Sequence, residues 1–355
     1  MSAESRPQPT RAASDQPRAL DQAERLRRMV GAPSDCPGAA FGSRVAGLAG
    51  FTSIPVIPGG EVRLAAATPQ PAEPRAAEPQ RARATRLASA IAISSGKGGV
   101  GKTNLAVSLA VAFAERRART ALLDADLGLA NADVLCGITP RATLEDVVIG
   151  ERRLDEVMVH APGGFRLVPG ASGVSRLADL GSAQRRVVLE QLLALERGLD
   201  ILLIDTGAGI GANSMTFAAA AHRVLVVCTP EPTSIADAYG AIKTLVARGA
   251  ADQLQLVVNM ASSAEEAQAV HARIDRVART FLGARISLAA AIPIDPSVPA
   301  AVRRREPVLL FAPQSPASVA IRRLAAKLAG DATAPRLEEA RSGFLARLSG
   351  LLRRG

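Results

Sequence analysis

The sequence predicts a doubly wound α/β domain, a mostly parallel sheet flanked by helices. Three observations predict it. Short, nearly unbroken apolar runs of strand length recur from Ser89 onward. Segments of helical periodicity separate them. The first run leads at once into a glycine-rich loop that opens a helix. Runs that are apolar at every residue suit strands covered on both faces, as in parallel sheets.

SAIAIS, 89–94, is the first strand, and Lys102–Arg116 the first helix. TALLDAD, 120–126, is a strand ending in two carboxylates, Asp124 and Asp126. FRLVPG, DILLIDTG, RVLVVCTP and LQLVVNMA read as further buried strands. The segments Ala183–Glu196, Ser234–Arg248 and Ala264–Leu282 read as helices between them. This domain is expected to cover 88–330. Ahead of it, 1–20 is rich in Pro, Ser and Arg and is expected to be disordered. ALDQAERLRRMV, Ala19–Val30, follows, with Ala19, Ala23, Leu26 and Val30 at helical spacing. Asp21 near its start and arginines at its end both suit the helix dipole. Residues 1–30 thus form a leader with one short amphipathic helix. Residues 31–87 are a Pro/Ala/Arg-rich linker, interrupted by the apolar island RVAGLAGFTSIPVIPGGEVRLAA, for which the sequence suggests no role.

Composition narrows the chemistry. The chain has 355 residues, 48% of them apolar, enough for a sizeable core. Aromatics are 3% with no Trp, which argues against stacking platforms for single-stranded nucleic acid. The net charge of +10 favours acidic partners: lipid, nucleic acid or nucleotide. Cys36, Cys136 and Cys228 are far apart and form no CxxC, so no disulfide framework, zinc site or iron–sulfur site is implied, and a reducing cytoplasm is expected. His160, His222 and His271 have no metal-ligand spacing. The charged N-terminus has no apolar region of a secretory signal, and no apolar stretch reaches 18 residues, so no membrane span is expected.

The loop ISSGKGGVGKT, Ile93–Thr103, carries the chemistry. Gly96, Gly101, Lys102 and Thr103 fit G-x-x-x-x-G-K-[ST], with a strand before and a helix after. Glycines let backbone N–H groups approach phosphates, Lys102 supplies charge to the β/γ-phosphates, and the Thr103 hydroxyl ligates Mg²⁺. The expected ATP cradle is Gly96, Lys97, Gly98, Gly99, Val100, Gly101, Lys102 and Thr103, with Asn104 behind it. Asp205 ends LDILLID, so its carboxylate emerges at the sheet's C-terminal edge, where the Mg²⁺ shell is held. Asp124 and Asp126 alternate with Ala125 and cannot both face one way on an ideal strand. Asp124 is placed to meet Mg²⁺, and Asp126, past the strand end, to hold the attacking water.

KGGVGKT resembles the deviant Walker A motif of the MinD/ParA ATPases. The resemblance implies that Lys97 reaches across a homodimer to the partner's phosphates and stabilises developing charge there. LLDADLGLANADVLCG resembles that family's switch I, with Asp126 as the water-positioning aspartate, and IDTGAGI its switch II. VVNMA places Asn259 where the family reads the adenine edge. AAIPIDPSV, with Pro293, resembles the loop closing over the base.

Four branches compete. Iron–sulfur-carrier relatives need paired cysteines at a dimer axis, a pattern absent here. A ParA-type partition protein binds DNA non-specifically through surface basics; no specific nucleic acid is expected for this chain. A division-site MinD begins directly with its first strand. The flagellar FlhG group is favoured because DQAERLRR resembles its leader motif, implying that Asp21, Gln22, Ala23, Leu26 and Arg27 act on an FlhF-type signal-recognition GTPase. DLGLANADVLCG and TPEPTSIADAYGAIK also look more like that group. One departure is the connector, about 57 residues here against a short one in the family, spanning roughly 40 Å on average as a flexible chain.

The tail RLEEARSGFLARLSGLLRRG, Arg336–Gly355, places Leu337, Phe344, Leu345, Leu348, Leu351 and Leu352 on one helical face. Arg341, Arg347, Arg353 and Arg354 flank it. A stripe of this kind lies in a headgroup region and meets anionic lipid. It resembles the membrane-targeting helix of MinD-type proteins, which implies a cytoplasmic protein peripheral on the inner membrane face. The alternative is packing of the same stripe on the chain's own domain. Arg303–Arg305 reads as a solvated helix end rather than a DNA patch. The function implied is control of flagellum number and placement. The alternatives are division-site or partition ATPases, or a nucleotide-gated scaffold with negligible hydrolysis.

Overall fold

A computed structural model describes residues 87–126, 131–170, 182–333 and 343–352. The leader residues Asp21, Gln22, Ala23, Leu26 and Arg27, the linker island and Arg353 lie outside the described residues.

The chain opens with β1 (Ser89–Ser94), α1 (Lys102–Glu115) and β2 (Thr120–Ala125). Three short helices follow, α2 (Ala132–Leu135), α3 (Leu144–Val148) and α4 (Leu154–Val157), then β3 (Val159–His160) and β4 (Arg166–Val168). Next come α5 (Ser182–Arg197), β5 (Ile201–Thr206), α6 (Ala212–Ala220) and β6 (Arg223–Cys228). The second half holds α7 (Pro232–Ala247), β7 (Leu254–Ala261), α8 (Ala264–Leu282) and β8 (Ser287–Pro293). It closes with α9 (Ser297–Arg304), α10 (Val308–Phe311), α11 (Pro316–Thr333) and α12 (Phe344–Leu352).

The strands form one eight-stranded sheet in the order β3-β4-β2-β5-β1-β6-β7-β8. Every pairing is parallel except β3 with β4. The unbroken apolar runs have a simple cause. Alternate residues of a strand face opposite sides, and both sides are covered. Ala90 and Ala92 of β1, Leu202 and Ile204 of β5, and Val224 and Val226 of β6 enter one core. Ile91 and Ile93, Ile201 and Leu203, and Leu225 and Val227 enter the other. In α1, Leu105 through Phe113 are all buried, which explains why the helix lacks a polar face. A bidentate pair from Arg322 of α11 to Glu115, at 2.7 and 2.8 Å, ties these two helices together.

Register brings the acidic strand ends together. Ile93 pairs with Asp205, and Asp205 pairs with Asp124. The C-terminal edges of β1, β5 and β2 thus end at one level, beside the glycine-rich loop. One element differs from expectation. AAIPIDPSV reads as a loop, but β8 runs through Pro293, and only Ile294 onward leaves the sheet. SLAAAIP is alanine-rich with a single β-branched residue, so strand propensity is nearly silent there.

Candidate functional site

The site grows from the first turn of α1. Gly99 and Gly101 adopt φ of 80° and 87°, the left-handed region that costs a side-chain-bearing residue about 1 kcal/mol or more. A Cβ on Gly101 would also run into the Asn259 amide, and one on Gly96 into the backbone of Asp237 in α7. The loop is therefore pressed against β7 on one side and α7 on the other. Asn259 donates from Nδ2 to the Val100 carbonyl at 2.8 Å. Its amide, expected to read the adenine edge, here braces the loop. Beneath the loop, the Ser95 hydroxyl donates to the Lys97 carbonyl at 2.8 Å, and Gly209 N–H donates to the Ser95 carbonyl at 3.0 Å. The second bond fixes the segment after β5 to the phosphate loop.

Lys102 is buried and faces Asp205. Asp205 is 1% exposed, and neither carboxylate oxygen has a hydrogen-bond partner. Burial pushes its pKa up to about 7; Lys102 draws it down, Asp124 and Asp126 push it up, and the Thr103 hydroxyl helps to lower it without completing a bond. Asp124 is also buried. It accepts from Asp126 N–H at 3.1 Å on one oxygen, and from Asn131 and Ala132 N–H, each 3.1 Å, on the other. Burial still holds it at about 6. One Asp124 oxygen thus pins the start of α2 and the other the residue just past β2, contacts the expectation of a metal ligand does not include. The physical reason is the free N–H groups at a helix start, which take the nearest carboxylate. Asp126 is half-buried and stands over Gly207, where an added Cβ would lie 3.2 Å from its Oδ1.

These residues fit Mg²⁺. A buried carboxylate without a donor is costly unless a cation meets it, and Asp205 is such a group beside the Thr103 hydroxyl. Among the described residues, no group of three or more His, Cys, Asp or Glu side chains is placed to hold a metal unaided. A cation here would rely on Thr103, Asp205 and the nucleotide's own oxygens. A pH dependence follows. Asp205 carries a proton near and below pH 7, and a cation meeting it would have to displace that proton. Binding of Mg-nucleotide is expected to release protons at pH 6.5 and to weaken by about tenfold between pH 7 and 5.5, whereas metal-free nucleotide shows little change. Titration calorimetry in two buffers of different ionisation heat measures the release; none at pH 6.5 contradicts the assignment.

Lys97 points away from this centre. Its Nζ lies 3.2 Å from Glu231 Oε2 and 3.1 Å from Thr233 Oγ1, at the start of α7. The two charged side chains are 40% and 67% exposed, so the pair contributes about 0.5 kcal/mol. Neither Glu231 nor Thr233 was among the expected site residues; only the fold brings them to Lys97. Also missed are Met260 and Ile294, 41% and 69% exposed at the ends of β7 and β8. Met260 has φ of 57°, and its Cε lies 3.8 Å from where a Gly101 Cβ would stand. Ile294 follows Pro293 and donates its N–H to the Ala261 carbonyl at 3.0 Å. With Pro293 they give the loop an apolar flank suited to a flat base. The signal was present as one apolar residue in the last positions of β7 and one just past β8, both exposed where polar residues are usual.

The remaining expected residues lie elsewhere. Phe344, Leu345 and Leu348 are buried in the first core, with Leu351 packed at its edge. The apolar stripe of the tail covers its own domain here instead of facing outward.

A family model described as "ParA: NUBPL iron-transfer P-loop NTPase" matches residues 86–329. Cys136 and Cys228 are both buried and unpaired, unlike the exposed pair an iron carrier needs. The antiactivator FleN of Pseudomonas aeruginosa is 42% identical over 238 residues, 67% of this chain and 85% of that protein. The flagellum site-determining protein YlxH of Helicobacter pylori is 38% identical over 192 residues, 53% of this chain and 64% of that protein. Among solved structures, the MinC:MinD cell division protein complex of Aquifex aeolicus aligns with a TM-score of 0.56 and 28% identity, covering 68% of this chain and 96% of that one.

Proposed function

The chain belongs to the ParA family of P-loop ATPases, and on that premise we propose that it is a dimer-activated switch of the flagellar type. In this reading ATP joins two copies face to face, the dimer docks on anionic lipid at the inner membrane face, and hydrolysis resets it. The output is control of flagellum number and placement, supported by 42% identity over 238 residues to an antiactivator FleN, against 30 to 37% to septum site-determining MinD proteins.

The observation that carries the reading is the pair of lysines in one loop. Lys102 is buried at the phosphate cradle, whereas Lys97 is exposed and held only by an ion pair worth about 0.5 kcal/mol. A cation so weakly held exchanges Glu231 for a phosphate oxygen at little cost. When bound, Mg²⁺ neutralises charge between the β- and γ-phosphates. The backbone of Gly96–Thr103 orients the triphosphate, with Lys102 against its oxygens. Asp126, half-buried beside Gly207, accepts a hydrogen bond from the attacking water and aligns it with the terminal phosphorus. Lys97 of the second copy meets the charge that develops on the transferred group. Val134 and Ile210, 45% and 58% exposed on the flanking segments, give the face apolar area to bury against the second copy.

No helix among the described residues is long and apolar enough to cross a membrane, so contact with lipid rests on α12. Co-sedimentation with vesicles of phosphatidylglycerol is expected to be ATP-dependent and to be lost in Leu348→Glu, which places a charge in the middle of the apolar stripe. ATP-dependent binding unaffected by this change excludes the helix as the lipid contact. A peptide of residues 15–32 is expected to raise GTP turnover by an FlhF-type GTPase several-fold; no effect at saturation leaves the leader a generic amphipathic helix.

A further inference from the structure

The docked tail holds one buried ionisable group that the ATPase site does not use. Glu196 lies in the last turn of α5 and is 0% exposed. Its Oε1 accepts the N–H of Phe344 at 2.8 Å, and Oε2 faces the N–H of Leu345 at 3.5 Å. These are the first residues of α12, whose starting N–H groups have no partner within the helix. A carboxylate from 148 residues away thus serves as the helix cap. Gly343 makes the approach possible. A Cβ there would stand 2.6 and 2.9 Å from the two Glu196 oxygens and 2.8 Å from Leu87 Cδ1. Phe344 also meets Phe217 of α6, with ring centroids 6.3 Å apart.

The helix turns the first part of its apolar stripe into this groove. Phe344, Leu345 and Leu348 face inward, while Ala346 and Gly350 face out. The groove wall is also continuous with the ATPase site: α6 starts at Ala212, directly after the segment that carries Gly207 against Asp126 and Gly209 against Ser95.

We propose that Glu196 is the lock of the C-terminal helix: by capping it in the groove between α5 and α6, it sets the fraction of chains whose helix is undocked and free to meet lipid. Glu196 is a positioning residue here, touching neither nucleotide nor lipid. The lipid half of the proposal rests on the function proposed above; the lock itself does not. Loss of the cap is expected to raise the undocked fraction roughly tenfold. Gly343→Ala acts on the other side of the same contact and leaves the free helix's apolar stripe unchanged.

The test uses the full chain with ADP. Without lipid, amide hydrogen exchange of residues 344–352 is expected to quicken about tenfold in Glu196→Ala and in Gly343→Ala, while β1 amides keep their protection. Glu196→Gln, which keeps an acceptor at the same place, is expected to restore slow exchange. With vesicles of phosphatidylglycerol and phosphatidylethanolamine, the two loosened variants are expected to co-sediment without ATP, and adding Leu348→Glu abolishes it. Unchanged exchange in both loosened variants overturns the lock. Fast exchange without vesicle binding upholds the lock and refutes the membrane reading.

Discussion

Lys97→Ala is expected to lower ATP turnover by about 10³-fold, the low end of what a cation supplied in trans contributes to phosphoryl transfer. Nucleotide affinity of the single chain is expected to stay within a few-fold, because Lys102 and the backbone of the loop, not Lys97, form its own cradle. Stability is expected to be unchanged as well. Among the described residues the side-chain partners of Lys97 are Glu231 and Thr233, at 3.2 and 3.1 Å, and an exposed pair of this kind contributes at most about 1 kcal/mol. The three results together separate a trans cation from a structural lysine. A structural residue loses stability and activity in parallel; a cradle residue loses affinity. Mixing supplies the sharper measurement. A copy with Lys97→Ala and an intact Asp126, paired with a copy carrying Asp126→Ala and an intact Lys97, rebuilds one complete site per dimer. Activity is expected to return toward about a quarter of the native value in an equal mixture, because half of the dimers are mixed and each of these has one complete site of two. A mixture as inactive as its parts, or Lys97→Ala turning over within twofold of the native chain, refutes the shared site.

What the sequence reveals and what it hides divide along the distance over which residues act. The strands were legible because burial on two faces writes itself into consecutive residues, as in Ile91–Ile93 and Leu202–Ile204. The phosphate loop was legible because its chemistry lies in eight neighbours, Gly96 to Thr103. Asp205 was legible because a carboxylate ending a buried run has few other uses. The partner of Lys97 was not, since Glu231 lies 134 residues on and sits in TPEPTS, where turn chemistry already accounts for an acidic residue. Glu196 reads as one more charge on an amphipathic helix; only the fold shows it at 0% exposure under the tail. The tail stripe was legible, but not its occupant. Phe344, Leu345 and Leu348 satisfy equally a lipid surface and a groove, and periodicity records only that something covers them. Asp124 was legible as a carboxylate at a strand end, but its bonds to the Asn131 and Ala132 N–H groups were not, because only the folded chain brings those groups to it.

Asp205→Asn is expected to make the nucleotide-free protein more stable while abolishing turnover. The native carboxylate is 1% exposed and lacks any hydrogen-bond partner, and burial raises its pKa to about 7. A carboxylate whose folded pKa lies above its unfolded value binds protons more tightly when folded. Its contribution to stability is therefore fully present below the unfolded value near 4 and is lost as pH rises through about 7. At pH 8 the ionised form is a liability that the fold carries for function. The value of about 7 already includes the pull of Lys102; relaxation and water entry around a buried ion leave a penalty of about 2 kcal/mol. Asparagine removes the charge at nearly constant shape. The melting temperature without nucleotide is expected to rise by about 4–8 °C at pH 8, and by much less at pH 5, where the native group is already protonated. With Mg-nucleotide the order reverses: the native chain gains from the cation that Asp205 awaits, and Asp205→Asn gains little. Thermal melts at the two pH values, with and without Mg-nucleotide, contain the whole prediction. A variant less stable than the native chain at pH 8 would show that Asp205 is satisfied within the fold, leaving no place for a cation beside Thr103.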